Sequence, residues 1–371
     1  MWVQRVPGLD GVRCFAVLTV LLFHLGVPHA GGGWLGVDLF FVLSGYLITT
    51  ILLTEHHRRG QIRLRAFYAK RALRLYPALL ALLVVGALFY RILGDRGTWH
   101  GYLRTAGQAA LYIEDFVYGI TGDPHGYLGH TWSLAVEEQF YLLWPLLMIL
   151  ALRAALPVLA LAVAGTLASF AMLVAFSPQH ADNPWFVPAS YYLPHTRAGS
   201  LMIGCALAAW LVDREVRPVR GIARGVGWLG AIGYVSVVLL ADHFTRNTST
   251  AWTLIAADVA AAMLVYGLVT APDAPLSRGL AWRPFAWLGE RSYAFYLYAF
   301  VVEAILQSHA PHMARPQQVL VTFVATTSLA ALSFHLVELP FLRLKQRLGA
   351  GTGERLVVDE TRALAAAMAD E

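Results

Sequence analysis

Long apolar stretches separated by short polar connections run through almost the whole chain. Windows of about 17 to 25 predominantly apolar residues identify ten candidate spans, each long enough to cross a bilayer as a helix. The predicted spans are Val12–Pro28, Leu35–Thr54, Pro77–Leu93, Thr131–Leu150, Leu156–Phe176, Thr196–Val212, Gly225–Ala241, Ala251–Thr270, Ala286–Gln307 and Gln318–Glu338. The pattern therefore predicts an all-α membrane protein, a polytopic bundle of about ten transmembrane helices.

One further apolar stretch, Tyr102–Ile120, is a weaker candidate for a span. It contains Arg104, Gln108, Glu114 and Asp115, and polar or ionisable side chains are costly in the hydrocarbon core. An interfacial or re-entrant position suits this segment better than a crossing.

The distribution of basic residues favours ten spans and sets their orientation. With a cytoplasmic N-terminus, the arginines and lysines between spans concentrate in the cytoplasmic connections, as the positive-inside rule requires. An eleventh crossing would move the later basic connections to the outer side. Both termini are therefore predicted to be cytoplasmic, with residues 1–348 forming a transmembrane domain and residues 349–371 a short cytoplasmic tail.

The amino-acid composition is that of a membrane domain and leaves few residues for an additional soluble domain. Of the 371 residues, 58% are hydrophobic and 14% are charged, whereas a soluble domain carries about 25% charged residues. The net charge of +5 resides in the connections between spans, so nucleic acid is not an expected partner. A lipid bilayer is the predicted environment, and no His or Cys spacing indicates a metal site.

Several polar side chains lie at similar depth in the outer halves of the predicted spans, where they are expensive and therefore candidates for function. They are His24 in the first span, Asp38 in the second, and Ser133, Glu137 and Glu138 in the fourth. Ser133, Glu137 and Tyr141 recur at four-residue spacing and share one helical face. The pattern brings an imidazole, carboxylates and hydroxyls to one level of the bundle.

Arg13 and His24 lie on one stripe of the first span. They are eleven residues apart, which places them within about 20° of each other around the helix and about 16 Å apart along it. One face then carries a cation near the cytoplasm and a base far above it. Spacing alone leaves open a second interpretation, in which His24 packs inside the bundle and Arg13 snorkels to the interface.

Arg71 and Arg74 occupy one helical face of the cytoplasmic connection Glu55–Tyr76, just before Pro77 starts the third span. Paired guanidinium groups suit bidentate recognition of phosphate. The alternative is that juxtamembrane arginines only bind anionic lipid head groups and fix topology.

These pieces, in this order, resemble the acyltransferase 3 family of integral membrane acyltransferases. The resemblance covers residues 5–345. It rests on Leu-Asp-Gly-Val-Arg at 9–13 with His24, Gly-Val-Asp-Leu-Phe-Phe-Val-Leu-Ser-Gly-Tyr at 36–46, Phe67-Tyr68 with Arg71, Arg74 and Tyr76-Pro77, and Thr-Trp-Ser-Leu-Ala-Val-Glu-Glu-Gln-Phe-Tyr at 131–141. Cys14 stands where the family usually has glycine, and Ala299 stands where it often has a histidine. No esterase-like domain follows the last span, so a stand-alone member is expected.

The resemblance implies a membrane-embedded O-acyltransferase. Its donor would be a cytoplasmic acyl-CoA, expected to be acetyl-CoA, and its acceptor a hydroxyl of a sugar, glycoconjugate or glycosylated metabolite. His24 would be the general base, oriented by Glu137 or, if the helix faces the other way, by Glu138. The residues implied for acyl-CoA binding are Arg13, Arg71, Arg74 and Tyr76. Those implied to line or support the acceptor site are Asp38, Ser44, Trp132, Ser133, Tyr141 and Arg197.

A different class of function stays open at this point. In a proton-coupled transporter or flippase of a small molecule or glycolipid, Asp38, Glu137 and His24 would form a proton relay. Such a protein has no need for the paired arginines or for their alignment with His24. Consumption of a thioester would distinguish the two classes.

Overall fold

A computed structural model describes residues 6–93, 96–121, 128–176, 191–213, 219–247, 250–310 and 312–350. Every regular element within these ranges is helical, which confirms the predicted all-α class. The helices are α1 (Pro7–His24), α2 (Gly36–Arg59), α3 (Leu64–Leu93), α4 (Arg96–Leu111), α5 (Glu114–Thr121), α6 (Trp132–Arg153), α7 (Val158–Phe176), α8 (Pro194–Asp213), α9 (Arg220–Asn247), α10 (Thr250–Thr270), α11 (Pro275–Leu280), α12 (Arg283–Glu290), α13 (Ser292–His309), α14 (Arg315–Ser333) and α15 (Leu339–Ala350). Tight turns at Gly33–Leu35 and Gly129–Thr131 lead into α2 and α6, and a π-helical turn at Phe334–Glu338 joins α14 to α15.

Within the described ranges, eight helical segments are long and apolar enough to cross a membrane, and they overlap eight of the ten predicted spans. The predicted span Thr196–Val212 falls on α8, a helix of 20 residues. The predicted span Ala286–Gln307 is divided between α12 and α13, which leaves Ser292–Gln307 as a shorter apolar helix. The count of ten and the cytoplasmic position of both termini therefore stay predictions. The predicted tail, residues 349–371, lies outside the described residues from position 351 onward.

The third predicted span begins earlier in the structure than the sequence suggested. Helix α3 starts at Leu64 and continues through Pro77 to Leu93. A proline inside a helix removes one backbone hydrogen bond but is tolerated in membrane bundles, where neighbouring groups satisfy the freed carbonyl. Arg71 and Arg74 are thus held on the same continuous helix as the apolar stretch that follows them, and not on a separate connection.

The segment Tyr102–Ile120 is divided between α4 and α5 by a break at Tyr112, whose φ is +53°. With 16 and 8 residues, these helices measure about 24 and 12 Å, less than the roughly 30 Å hydrocarbon core. Glu114 and Asp115 are buried against protein. Burial disfavours the charged form of a carboxyl. It raises the pKa of Glu114 to about 7 and that of Asp115 to about 6.

Glycines bring the helices that carry the polar side chains into backbone contact. A Cβ added at Gly45 of α2 would overlap the Leu201 carbonyl of α8, and one at Gly204 of α8 would overlap the Val42 carbonyl of α2. A Cβ at Gly289 of α12 would collide with the Asp10 carbonyl of α1. Small residues permit this close packing of helices within a bilayer, and here they hold α2 against α8 and α1 against α12.

A labelling experiment tests the predicted topology. Cysteines introduced as Asp182→Cys and Arg217→Cys, two positions outside the described residues, are placed in a background lacking Cys14 and Cys205. With ten spans, an impermeant thiol reagent labels intact cells at position 182 and not at position 217, because only the first lies in an outer connection. A Gly60→Cys variant, at the cytoplasmic end of α2, serves as the protected control. Labelling at 217 and not at 182 would overturn the ten-span arrangement.

Candidate active site

A cavity of about 310 Å³ lies between α1, α2, α3, α6 and α13. Most of its wall is apolar. The predicted site residues that line it are Arg13, Ser44, Arg71, Arg74, Ser133, Glu137 and Tyr141. This central cavity brings together seven side chains that the sequence singled out from four different helices.

Three guanidinium groups form one end of the central cavity, called here the arginine end. Arg74 lies within electrostatic range of Arg13 and Arg71, and Arg71 and Arg74 share one face of α3. Arg13 donates to Asp10 over 3.2 Å, and the guanidinium of Arg71 lies 3.9 Å from the ring centre of Tyr141. In the described part of the chain neither Arg71 nor Arg74 forms a salt bridge. The arginine end therefore presents two guanidinium groups without a salt-bridge partner among the described residues, and such groups suit a polyanionic ligand.

A short chain of hydrogen bonds lies beside the arginine end. The Tyr141 hydroxyl donates to the Glu137 carboxylate, and the same hydroxyl shares a hydrogen bond with Ser44. Because Tyr141 has one proton to give, Ser44 is the donor in the second bond. The Glu137 carboxylate therefore accepts a hydrogen bond from Tyr141.

The opposite end of the central cavity is formed by the hydroxyls of Ser133 and Tyr296, called here the hydroxyl end. These oxygens are 2.9 Å apart, and Tyr296 also donates to the His130 backbone carbonyl over 2.8 Å. Ser133 and Tyr141 are eight residues apart on α6, which separates the hydroxyl end from the arginine end by about 12 Å. Neither Tyr296 nor His130 was among the residues predicted for the site.

His24 lies beyond the hydroxyl end, at the last residue of α1, and does not line the central cavity. Its ring packs edge-on against Phe300, with 4.3 Å between centroids. Phe300 follows Tyr296 by one turn of α13. His24 is exposed, and within the described ranges it has no contact with Glu137. The sequence-based match in depth therefore does not become a direct pairing, and the roles assigned to His24 and Glu137 stay predictions.

The two candidate carboxylates of α6 are distinguished by the geometry. Glu137 lines the central cavity, whereas Glu138 does not. Tyr76, predicted to bind acyl-CoA, packs its ring 5.5 Å from Tyr112 and donates to the Ala110 carbonyl over 3.4 Å. It faces the end of α4 and is absent from the cavity wall.

Asp38, Arg197 and Trp132, all predicted for the acceptor site, form a separate buried network. Arg197 donates to Asp38 over 2.5 Å, and both side chains are fully buried. Ser200 links this pair to Asp258, with oxygen distances of 3.2 Å to Asp38 and 2.8 Å to Asp258. None of these residues lines the central cavity. The network joins α2, α8 and α10. Asp258 could have been found from sequence, because an aspartate inside a predicted span is itself a signal.

Aromatic rings enclose the Arg197 guanidinium, which lies 4.6 Å from the ring centre of Tyr191 and 5.9 Å from that of Trp132. Trp132 is thus a packing partner of the network. Among the described residues, no group of three or more His, Cys, Asp or Glu side chains has an arrangement that would hold a metal ion.

An Asp38→Asn variant tests whether this pair is structural. We expect it to lower the free energy of unfolding by about 1.5–3 kcal/mol, because a charge-assisted hydrogen bond becomes a neutral one while Arg197 stays charged. Thermal unfolding in detergent micelles measures the effect. Asp273→Asn, which removes an exposed bond from Arg224, is the control and should change the melting temperature little. An unchanged melting temperature together with altered acceptor saturation would favour the acceptor-site role.

Fold and cavity together define a multi-pass membrane protein with a cation-lined pocket inside a helical bundle. Residues 6–335 match the family model described as an acyltransferase domain, and the chain belongs to the acyltransferase 3 family. No solved structure has a significant match to the chain.

Similar bacterial proteins share this region. The chain is 33% identical to YrhL of Bacillus subtilis, whose name assigns it provisionally to peptidoglycan O-acetylation, and the match covers 91% of this chain and 55% of YrhL. It is 32% identical to the peptidoglycan O-acetyltransferase OatA of Listeria monocytogenes, over 91% of this chain and 56% of OatA. It is 29% identical to the O-acetyltransferase OatA of Staphylococcus aureus, over 91% of this chain and 57% of that protein. The chain spans a little over half the length of each relative.

Proposed function

We propose that this chain is a membrane-embedded O-acyltransferase that moves an acetyl group from cytoplasmic acetyl-CoA to a hydroxyl of a cell-wall glycan, with peptidoglycan as the first acceptor to test. The observation that carries the proposal is the central cavity. Cationic at one end and lined by hydroxyls at the other, it lies below an exposed imidazole. A thioester donor that carries phosphates needs cations at one end of its site. An alcohol acceptor needs hydrogen-bond donors and a base at the other end.

The donor fits the central cavity by charge and by shape. Coenzyme A carries its phosphates at one end and its thioester at the end of a long, flexible arm. With the phosphates at the arginine end, the arm would follow the apolar wall and place the acyl carbon near Ser133 and Tyr296. Neither Arg71 nor Arg74 forms a salt bridge in the described ranges, so their guanidinium groups could bind phosphate oxygens. Glu137 and Glu338 lie within electrostatic range of Arg74, and Glu138 within range of Arg71.

The reaction also requires a base and donors for the oxyanion. His24 is the base in this proposal, because neutral imidazole accepts a proton near physiological pH. The hydroxyls of Ser133 and Tyr296 are the proposed donors to the tetrahedral oxyanion, once they turn from their bonds to each other and to the His130 carbonyl. Glu137, which accepts from Tyr141, would hold the cavity wall and offset part of the arginine charge. Its predicted role in orienting His24 stays a prediction.

The predicted topology gives the two substrates opposite routes. The arginine end adjoins the first turns of α1, on the cytoplasmic side, whereas His24 is exposed at the outer end of that helix. Donor would enter from the cytoplasm and acceptor from outside. The names of the relatives from Bacillus and Listeria support a peptidoglycan acceptor.

Purified protein in lipid nanodiscs tests the proposal. We expect release of free CoA thiol from acetyl-CoA that depends on added muropeptides, with a matching acetyl mass increase on the glycan. A variant carrying Arg58→Ala and Arg59→Ala, which removes cations at the end of α2 outside the cavity, should retain this activity. Uptake of a solute into proteoliposomes without thioester consumption would instead support the transporter.

A further inference from the structure

His130 occupies the space between the central cavity and His24. It precedes α6 in the turn Gly129–Thr131, and only 5% of it is exposed. Its Nε2 atom has no hydrogen-bond partner within the described residues, while the imidazole also interacts with the Leu297 backbone. Burying an unpaired ring nitrogen costs free energy that an apolar ring of the same shape would avoid. A residue that only fills space would not need this nitrogen.

Contacts on both sides connect His130 to the reaction path. Its backbone carbonyl accepts from Tyr296 over 2.8 Å and from Ser133 over 3.4 Å, and both donors line the central cavity. Its ring stacks on Phe300, with centroids 4.4 Å apart and an interplanar angle of 5°. The ring of His24 packs against the same phenylalanine at 4.3 Å, and the two imidazoles lie within electrostatic range.

Acyl transfer removes a proton at the acceptor end of this path and requires one at the departing sulfur. As the acceptor oxygen forms its bond to the acyl carbon, His24 gains the hydroxyl proton. As the carbon–sulfur bond breaks, the electron pair goes to sulfur and leaves a thiolate inside the cavity. The overall reaction, alcohol plus thioester giving ester plus thiol, balances only when that proton arrives on sulfur. A relay between the outer imidazole and the inner thiolate would complete each turnover without waiting for solvent.

We propose that His130 is this relay: its Nε2 atom accepts the proton that His24 has removed, and the Nε2–H bond then breaks as that proton passes to the departing sulfur of coenzyme A. The inference rests on the proposed function, since it requires a thioester donor in the central cavity. It adds to the predicted base a second residue that transfers protons and acts on the leaving group.

A donor whose thiolate leaves without protonation isolates this step. In His130→Gln and His130→Phe, turnover with acetyl-CoA should fall by about 10²-fold or more, with little change in the KM for acetyl-CoA. With S-(4-nitrophenyl) thioacetate, whose 4-nitrothiophenolate leaving group is weakly basic, each variant should come within about threefold of wild type with the same donor. His24→Ala should stay defective with both donors, because the acceptor hydroxyl still needs its base. Tyr298→Phe, on another face of α13, is the matched control.

The phenylalanine variant keeps the ring stack and the glutamine variant keeps a polar side chain, so each checks the folding of the other. Equal losses with both donors would overturn the relay and assign His130 a packing role. Full activity of either variant with acetyl-CoA would also overturn it. Wild-type protein that consumes no acetyl-CoA would contradict the proposed function itself, an outcome distinct from failure of His130 alone.

Discussion

His24→Ala is expected to abolish acetyl transfer while membrane insertion is preserved. A general base contributes about 10²–10⁴-fold to the rate of a proton-transfer step, and His24 is exposed at the end of α1 beyond the hydroxyl end. The ring contributes an edge-on contact with Phe300, which alanine removes without burying a new polar group. Initial rates with acetyl-CoA and muropeptide, normalised to the amount of inserted protein, measure the effect.

His56→Ala, in the last turn of α2 at its predicted cytoplasmic end, is the control for loss of a histidine in general. If the His24 variant inserts normally and keeps more than about a tenth of the rate, the base has been assigned to the wrong residue. The search would then move to His130 and to Glu137.

Combined loss of Arg71 and Arg74 is expected to produce the second large effect, on donor binding. Each charge-assisted phosphate contact contributes on the order of 1.5–3 kcal/mol. Each Arg→Ala change should therefore raise the apparent KM for acetyl-CoA by about 10-fold to 100-fold, and the double variant by more. The KM for the acceptor should change far less, because acceptor and phosphates bind at opposite ends of the site.

Lysine at either position should restore donor saturation only in part, since an ammonium lacks the planar fork. Lys70→Ala, one residue before Arg71 on α3 and absent from the cavity wall, supplies the charge-matched control. Unchanged donor saturation in both single variants would return the two arginines to topology and lipid contact.

Helical periodicity predicted much of the site because several of its residues repeat along single helices. Arg71 with Arg74, and Ser133 with Glu137 and Tyr141, could be placed on shared faces from spacing alone, and all five line the central cavity. The rotation of α6 could not be obtained this way, because Glu137 and Glu138 are adjacent. Contact between Tyr141 and Ser44, 97 positions apart, settles that rotation.

The pairing of residues on different helices could not be predicted from the sequence, because helical periodicity describes one helix at a time. Asp38 and Arg197 were each predicted for the acceptor site, yet 159 positions separate two residues that bind each other. Depth along the bilayer can be read from a span, whereas lateral position depends on which helices pack together. His24 and Glu137 were predicted at similar depth, and in the described residues the two side chains have no contact.

Arg13 and His24 belong to one unbroken helix, and this has a consequence for donor length. Under the proposed function, α1 would hold Arg13, a proposed phosphate-binding residue, and His24, the proposed base, about 16 Å apart along its axis. The Asp10 carbonyl of α1 packs closely against Gly289. One residue inserted between Arg13 and His24 would rotate the imidazole by about 100° relative to the arginine. The helix would thus measure the distance from phosphate to thioester, so selectivity would follow the length of the carrier arm more closely than the identity of the acyl group.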